Sequence, residues 1–129
     1  MILVDTSVWV DYFNGKQTPQ TNILDRLLDN QILSVGDLIY TEILQGFRSD
    51  KDFETARTLL DALVFYNMLN QSIALKSAQY YRQLRKKGVT IRKTIDMLIA
   101  TFCMEHKLTL LQSDADFENI AKHLPLLLL

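Results

Sequence analysis

Along this chain, short apolar runs alternate with longer stretches in which apolar residues recur every three to four positions. The short runs read as strands and the longer ones as amphipathic helices. Residues 2–4 (Ile-Leu-Val) form the first run and end at Asp5, which predicts a buried strand carrying an acid at its C-terminal end. Thr6 or Ser7 is placed to cap a helix through the following aromatic segment, which Gly15 stops. Ile23, Leu24, Leu27 and Leu28 give residues 20–30 helical spacing, and residues 32–35 read as a second strand. Gly36-Asp37 opens another helix, with Asp37 as its expected N-cap. A further helix over 49–63 follows, then a third strand over 64–68 and a helix over 71–87 stopped by Gly88. A helix over 94–106, a strand over 108–112 and a short helix over 115–122 complete the pattern. The tail 124–128 reads as a fifth strand that Pro125 confines to an edge or a strand start.

The strands are apolar without clean alternation, and helical segments separate them. That pattern predicts an α/β fold whose parallel sheet is covered on both faces. No internal repeat and no linker rich in Gly, Pro or Ser divides the chain, so residues 1–129 are expected to form one domain. Sheets of this kind carry their sites at the C-terminal ends of the strands. Asp5 ends one strand there, and Asp114 and Asp116 follow another.

Composition narrows the chemistry. At 48% hydrophobic and 22% charged residues, with 4 Gly and 2 Pro, the chain is neither disordered nor collagen-like. The single Cys103 excludes an intrachain disulfide and a cysteine-based zinc site, and it reads as a small core residue. Two histidines, His106 and His123, read as surface residues and argue against a histidine-rich metal site. No apolar run approaches a membrane span, and the opening MILVD lacks the basic start of a signal peptide, so a cytoplasmic location is expected. The net charge of −1 hides an asymmetry: residues 1–75 hold ten acids and five bases, residues 76–129 nine bases and five acids. Arg82, Arg85, Lys86, Lys87, Arg92 and Lys93 fall within twelve residues without an acid among them. This stretch is either a solvated helix end or a patch that faces phosphates.

Several acids depart from the solvated pattern. On the helix 94–106, Thr94, Thr101 and Glu105 define the expected solvent face, whereas Asp96 shares its side with Ile99, Ala100 and Cys103. An acid on an apolar face is costly unless it is paired, hydrogen-bonded or bound to a cation. Asp96 is therefore an internal cap, a partner of Arg92, or a ligand. Glu42 sits at the edge of an apolar surface, Asp5 at a strand end, and Asp114 and Asp116 where a helix cap would also stand. Taken jointly, Asp5, Asp96, Asp114 and Glu42 have routes to the same sheet edge. Clustered carboxylates raise one another's pKa unless a cation lies among them. An oxygen-only ligand set suits Mg²⁺ or Mn²⁺ and favours phosphodiester chemistry. No P-loop, GxGxxG, HExxH or GxSxG motif occurs. A dehalogenase-like phosphatase would carry a second Asp where this chain has Ser7, and a receiver-like domain an N-terminal acidic pair.

Four segments carry a resemblance: VDTSVWVDYF, YTEILQG, TIDMLIA and LLQSDADF, in that order. Together they resemble the PIN-domain ribonucleases, and most closely the VapC-type toxins of prokaryotic toxin–antitoxin pairs, over essentially the whole chain. The resemblance places family acids on Asp5, Glu42, Asp96 and Asp114, with an accessory one on Asp116. Ser113 stands where Thr is frequent and keeps the hydroxyl, and the acid at 116 varies in the family. The resemblance implies a three-layer α/β/α sandwich with a central, mostly parallel sheet of about five short strands. It also implies a Mg²⁺- or Mn²⁺-dependent endoribonuclease acting on structured RNA, notably tRNA. The implied partners are a second copy of the chain and a VapB-like antitoxin that inserts a segment near the acids. Asp5, Asp96 and Asp114 are then the expected metal ligands, with Glu42 and Asp116 completing the pocket or helping to hold a second ion. Thr6, Ser7 and Ser113 are auxiliary hydroxyls, and Arg85, Lys86, Lys87, Arg92 and Lys93 are expected to hold flanking RNA phosphates.

Two alternatives stand beside this reading: a housekeeping nuclease of the same fold, for precursor RNA or branched DNA, and a non-catalytic interaction domain. Trp9, Tyr12, Phe13, Tyr40 and Phe47 are either core aromatics or part of an antitoxin or dimer contact. The leucine tail is either a sheet edge or a contact surface.

Overall fold

Five short strands lie side by side, every neighbouring pair parallel, in a computed structural model that describes residues 1–129. They are β1 (Ile2–Val4), β2 (Leu33–Gly36), β3 (Val64–Tyr66), β4 (Thr109–Leu111) and β5 (Leu127–Leu128), in the order β3-β2-β1-β4-β5. Parallel neighbours require crossovers, and helices supply them: α1 (Thr6–Phe13) and α2 (Pro19–Leu27) between β1 and β2, α3 (Asp37–Gln45) and α4 (Asp50–Asp61) between β2 and β3. From β3 the chain runs through α5 (Gln71–Lys86) and α6 (Thr94–His106) to β4, and α7 (Ala115–Ala121) leads to β5. The result is a parallel sheet covered on both faces, as the pattern predicts, in the three-layer α/β/α sandwich that the resemblance implies. The tail strand lies at one edge, as Pro125 requires; Leu126 is buried, while Leu127 and Leu129 remain exposed. A continuous cluster of 28 buried apolar residues joins both faces of the central strands to the helices.

Three local readings change. Neither Thr6 nor Ser7 caps α1: Asp5 is the N-cap and accepts from the Ser7 backbone N–H. A carboxylate two residues ahead satisfies the exposed N–H better than a hydroxyl already inside the first turn. Asp37 is not the cap of α3 but its first residue, after an N-cap at Gly36. Its Oδ1 instead accepts from the Leu38 and Met68 N–H groups at 2.8 and 3.0 Å and pins the loop after β3 to the end of β2. Gly36 is required there, because a Cβ would overlap the Sδ of the fully buried Met68.

The third change concerns α6. Thr94 and Glu105 face solvent as expected, but Thr101 is wholly buried and donates its hydroxyl to the Met97 carbonyl at 2.7 Å. Helix α6 is covered nearly all round, which two-sided periodicity cannot reveal. Cys103 is buried within it, and His106 and His123 are exposed, as expected. Trp9 is a core residue, stacked on Phe13 and edge-on to Tyr12, and Phe13 meets Phe47 edge-on.

Candidate metal centre

Register alone brings two of the acids together. β1 and β4 pair with Val4 opposite Leu111, and the Asp5 N–H donates to the Leu111 carbonyl at 2.9 Å. The chain then turns into α1 on one side and toward Asp114 on the other. Ser7 ties the two ends: its Oγ donates to Asp5 Oδ2 at 2.6 Å and accepts from the Ser113 N–H at 3.2 Å. The Ser7 N–H adds a 3.0 Å bond to the same carboxylate oxygen. Asp114 caps α7 by accepting from the Asp116 N–H at 2.9 Å, while its own N–H donates to Gln112 Oε1 at 2.6 Å. Both aspartates are thus helix caps and pocket acids at once.

Two helices deliver the remaining acids. Glu42 comes from α3 and accepts from Thr6 Oγ1 at 2.8 Å. Asp96 comes from the first turn of α6, only 5% exposed. Asp5, Thr6, Ser7, Glu42, Lys93, Asp96 and Asp114, with Val10, line a pocket of about 210 Å³. Asp116 adjoins it, and carboxylate oxygens of Asp96, Asp114 and Asp116 lie within 4.8 Å of one another.

This concentration of acid carries an electrostatic cost. Burial pushes the Asp96 carboxyl up to about 7, and the charges of Asp5 and Asp114 add to the effect against the opposing pull of Lys93. Asp5 is also raised, because burial outweighs its bonds to Ser7. Burial and the Asp5 charge raise Glu42 against the help of Thr6 and Lys93. Asp96 Oδ2 is buried and has no hydrogen-bond partner. A buried carboxylate oxygen without a donor is expensive. Oxygen donors from three or more carboxylates, one of them unpartnered, fit a hard divalent cation of the Mg²⁺ or Mn²⁺ kind.

The basic stretch divides. Arg92 does not pair with Asp96: its Nη2 lies 3.6 Å from Asp114 Oδ1 and its Nε 3.4 Å from Asp116 Oδ2. Lys93 Nζ lies 3.9 Å from Asp114 Oδ2. Arg85, Lys86 and Lys87 end α5 and are exposed, with the Arg85 guanidinium 5.6 Å from the centre of the Tyr81 ring.

A family model described as "PIN domain" matches residues 2–123. The chain belongs to the PIN-domain family. Among PIN-domain proteins it is closely related to the VapC-type toxins. It is 33% identical over 124 residues to the VapC ribonuclease Mb1587 of Mycobacterium bovis and, with the same figures, to ribonuclease VapC11 of Mycobacterium tuberculosis; the match covers 95% of this chain and 92% of each relative. Its fold superposes on VapBC2 from Rickettsia felis, solved bound to a promoter DNA fragment, with a TM-score of 0.78 at 19% identity, covering 100% of this chain and 98% of that one. VapBC-1 from nontypeable Haemophilus influenzae gives 0.75 at 19% identity, covering 100% and 97%. At that identity the likeness speaks to the PIN fold alone.

Every acid singled out in the sequence therefore reaches one place. Three features of the site escape sequence reasoning. Gln112 is buried and holds the Asp114 backbone, yet nothing in a lone glutamine signals this. Val10 lines the pocket from an exposed helix position. Arg92 and Lys93 turn inward to the acids, and the run of basic residues gives no sign of where it splits.

Proposed function

We propose that this chain is a metal-dependent endoribonuclease and the toxin of a toxin–antitoxin pair, acting as one PIN-like domain over residues 1–129. The observation that carries the reading is the unpartnered, buried carboxylate of Asp96 among four other acids at the C-terminal edge of the sheet. Asp5, Asp96 and Asp114 would hold Mg²⁺, or Mn²⁺ in its place, with Glu42 and Asp116 completing the pocket. When bound, such an ion supplies Lewis acidity toward a phosphoryl oxygen and lowers the pKa of water.

The chain's own groups do the rest. Ser7 orients Asp5, a pocket-lining acid, through two bonds to one of its oxygens. Thr6 occupies Glu42 Oε1 and leaves Oε2 as the proton acceptor, a role that its raised pKa suits. Water attacks the scissile phosphorus in line and its proton passes to Glu42, while the P–O3′ bond breaks and the departing O3′ takes a proton from solvent, giving a 5′-phosphate and a 3′-hydroxyl. Arg85, Lys86 and Lys87, exposed at the end of α5, hold flanking phosphates of a structured RNA such as tRNA and contribute affinity more than sequence choice.

The solved relatives' printed names, VapBC and a toxin–antitoxin complex from Klebsiella pneumoniae, support an antitoxin as partner, and we take a homodimer as the working unit. No helix is long and apolar enough to cross a membrane, which fits a cytoplasmic toxin. The test is brief induction in a bacterial host with mapping of new RNA 5′ ends, comparing the wild type with Asp5→Ala. Growth arrest with discrete Asp5-dependent cuts, relieved by a small adjacent reading frame, supports the toxin. Unaffected growth with cuts confined to precursor RNA favours the housekeeping nuclease, and unaltered RNA in both strains refutes the nuclease reading.

A further inference from the structure

The five carboxylates of the pocket are not equivalent. Asp5 is held by Ser7 and Glu42 by Thr6, both through neutral hydroxyls or backbone. Asp96 has one oxygen with no partner at all. Asp114 and Asp116, by contrast, share a cation: the Arg92 guanidinium spans them, with Nη2 toward one and Nε toward the other. A planar fork of donors is suited to bridging two carboxylates. Lys93 approaches Asp114 alone, through its second oxygen.

We infer that Arg92 takes the place of a second cation and holds this pocket to a single divalent ion. The inference rests on the metal-centre reading above. With all five acids ionised and both basic side chains in place, the pocket has three negative charges in excess. One divalent ion leaves it slightly negative, whereas a second would make it positive. Two-ion sites of phosphoryl-transfer enzymes place the ions about 3.5–4 Å apart and need carboxylates shared between them. Here the acid pair that would hold the second ion already has its counter-charge. Arg92 is thereby a positioning residue: it fixes Asp116 and one oxygen of Asp114, and leaves Asp5, Asp96 and the other oxygen of Asp114 to the ion.

The experiment is titration calorimetry of Mn²⁺ into the full chain, stripped of metal, near neutral pH. The wild type should bind one ion per chain and Arg92→Ala two. Arg92 is 69% exposed, so its removal leaves the core intact. Asp116→Asn gives a second readout. Because Asp116 answers Arg92 rather than the ion, its loss should keep one ion and weaken binding no more than about tenfold, whereas Asp96→Asn should weaken it by about a hundredfold or more. Two ions in the wild type, or one in Arg92→Ala, would overturn the inference while the metal centre stands. No Mn²⁺ binding by the wild type would remove the metal centre itself, and the inference with it.

Discussion

Replacing Asp96 by Asn should stabilise the metal-free protein, although Asp96 is the acid most needed for metal. Its carboxyl moves from 3.8 to about 7 on folding because the pocket buries it beside other acids. Below pH 3.8 it is protonated in both states and contributes nothing. Between 3.8 and 7 the folded chain holds a proton that the unfolded chain has released, so stability falls as pH rises; above 7 the penalty is complete. At about 1.4 kcal/mol per pH unit this amounts to at most about 4 kcal/mol, and screening by water at the pocket mouth reduces it to about 2 kcal/mol. Asparagine has nearly the same shape and no charge, so the variant escapes the penalty. Trp9, the sole tryptophan and fully buried, reports unfolding by fluorescence. In urea with a chelator at pH 8, the variant's midpoint should lie about 1 M above that of the wild type at unchanged slope. Near pH 4 the two should converge. Added Mn²⁺ should reverse the order at pH 8, since it binds the wild type far more tightly than the variant and stabilises it accordingly. A variant no more stable than the wild type at pH 8, or equally favoured at pH 4, would refute the assignment of strain to this carboxylate.

Other outcomes follow from packing. Gly36→Ala forces Met68 out of its seat and should cost about 1–3 kcal/mol in urea unfolding, with no change in Mn²⁺ binding once folded. Ser7→Ala removes the hydroxyl that joins Asp5 to the Ser113 backbone; calorimetry should find weaker Mn²⁺ binding, and unfolding a loss of about 1–2 kcal/mol. Trp9→Phe should fall within about 1 kcal/mol of the wild type, because the indole N–H is buried without a partner and its removal offsets part of the lost apolar area. Thermal melts of the variant against the wild type check this.

The strands were legible because each is a short apolar run bounded by a turn or a helix start; the acids after β1 and β4 marked both strand ends, but only the strand order shows the two as neighbours. What could not be read was how one side chain serves two roles. Asp5 and Asp114 look like caps because they are caps, and their bonds to the Ser7 and Asp116 N–H groups leave other carboxylate oxygens for the pocket. Thr101 misleads for a similar reason: a threonine that returns its hydroxyl to the backbone four residues back can be buried like an apolar residue. The fate of Arg92 depends on a loop joining two helices, and no periodicity governs a loop.

The five acids come from four separate places in the chain: the end of β1, α3, the start of α6 and the turn after β4. None can relax its neighbours by moving, because each is fixed by something other than the pocket: a cap, the Thr6 hydroxyl, a helix buried on nearly all sides, the Arg92 bridge. Rigid placement of like charges is unfavourable without a counter-ion and favourable with one, and the same rigidity that raises the Asp96 pKa supplies preorganised ligands. A flexible pocket would spread its acids and lose both effects. The penalty that the metal-free protein carries at pH 8 is thus expected to reappear as affinity for the ion, so Asp96→Asn, which removes the most strained of these charges, should lower the penalty and the affinity together.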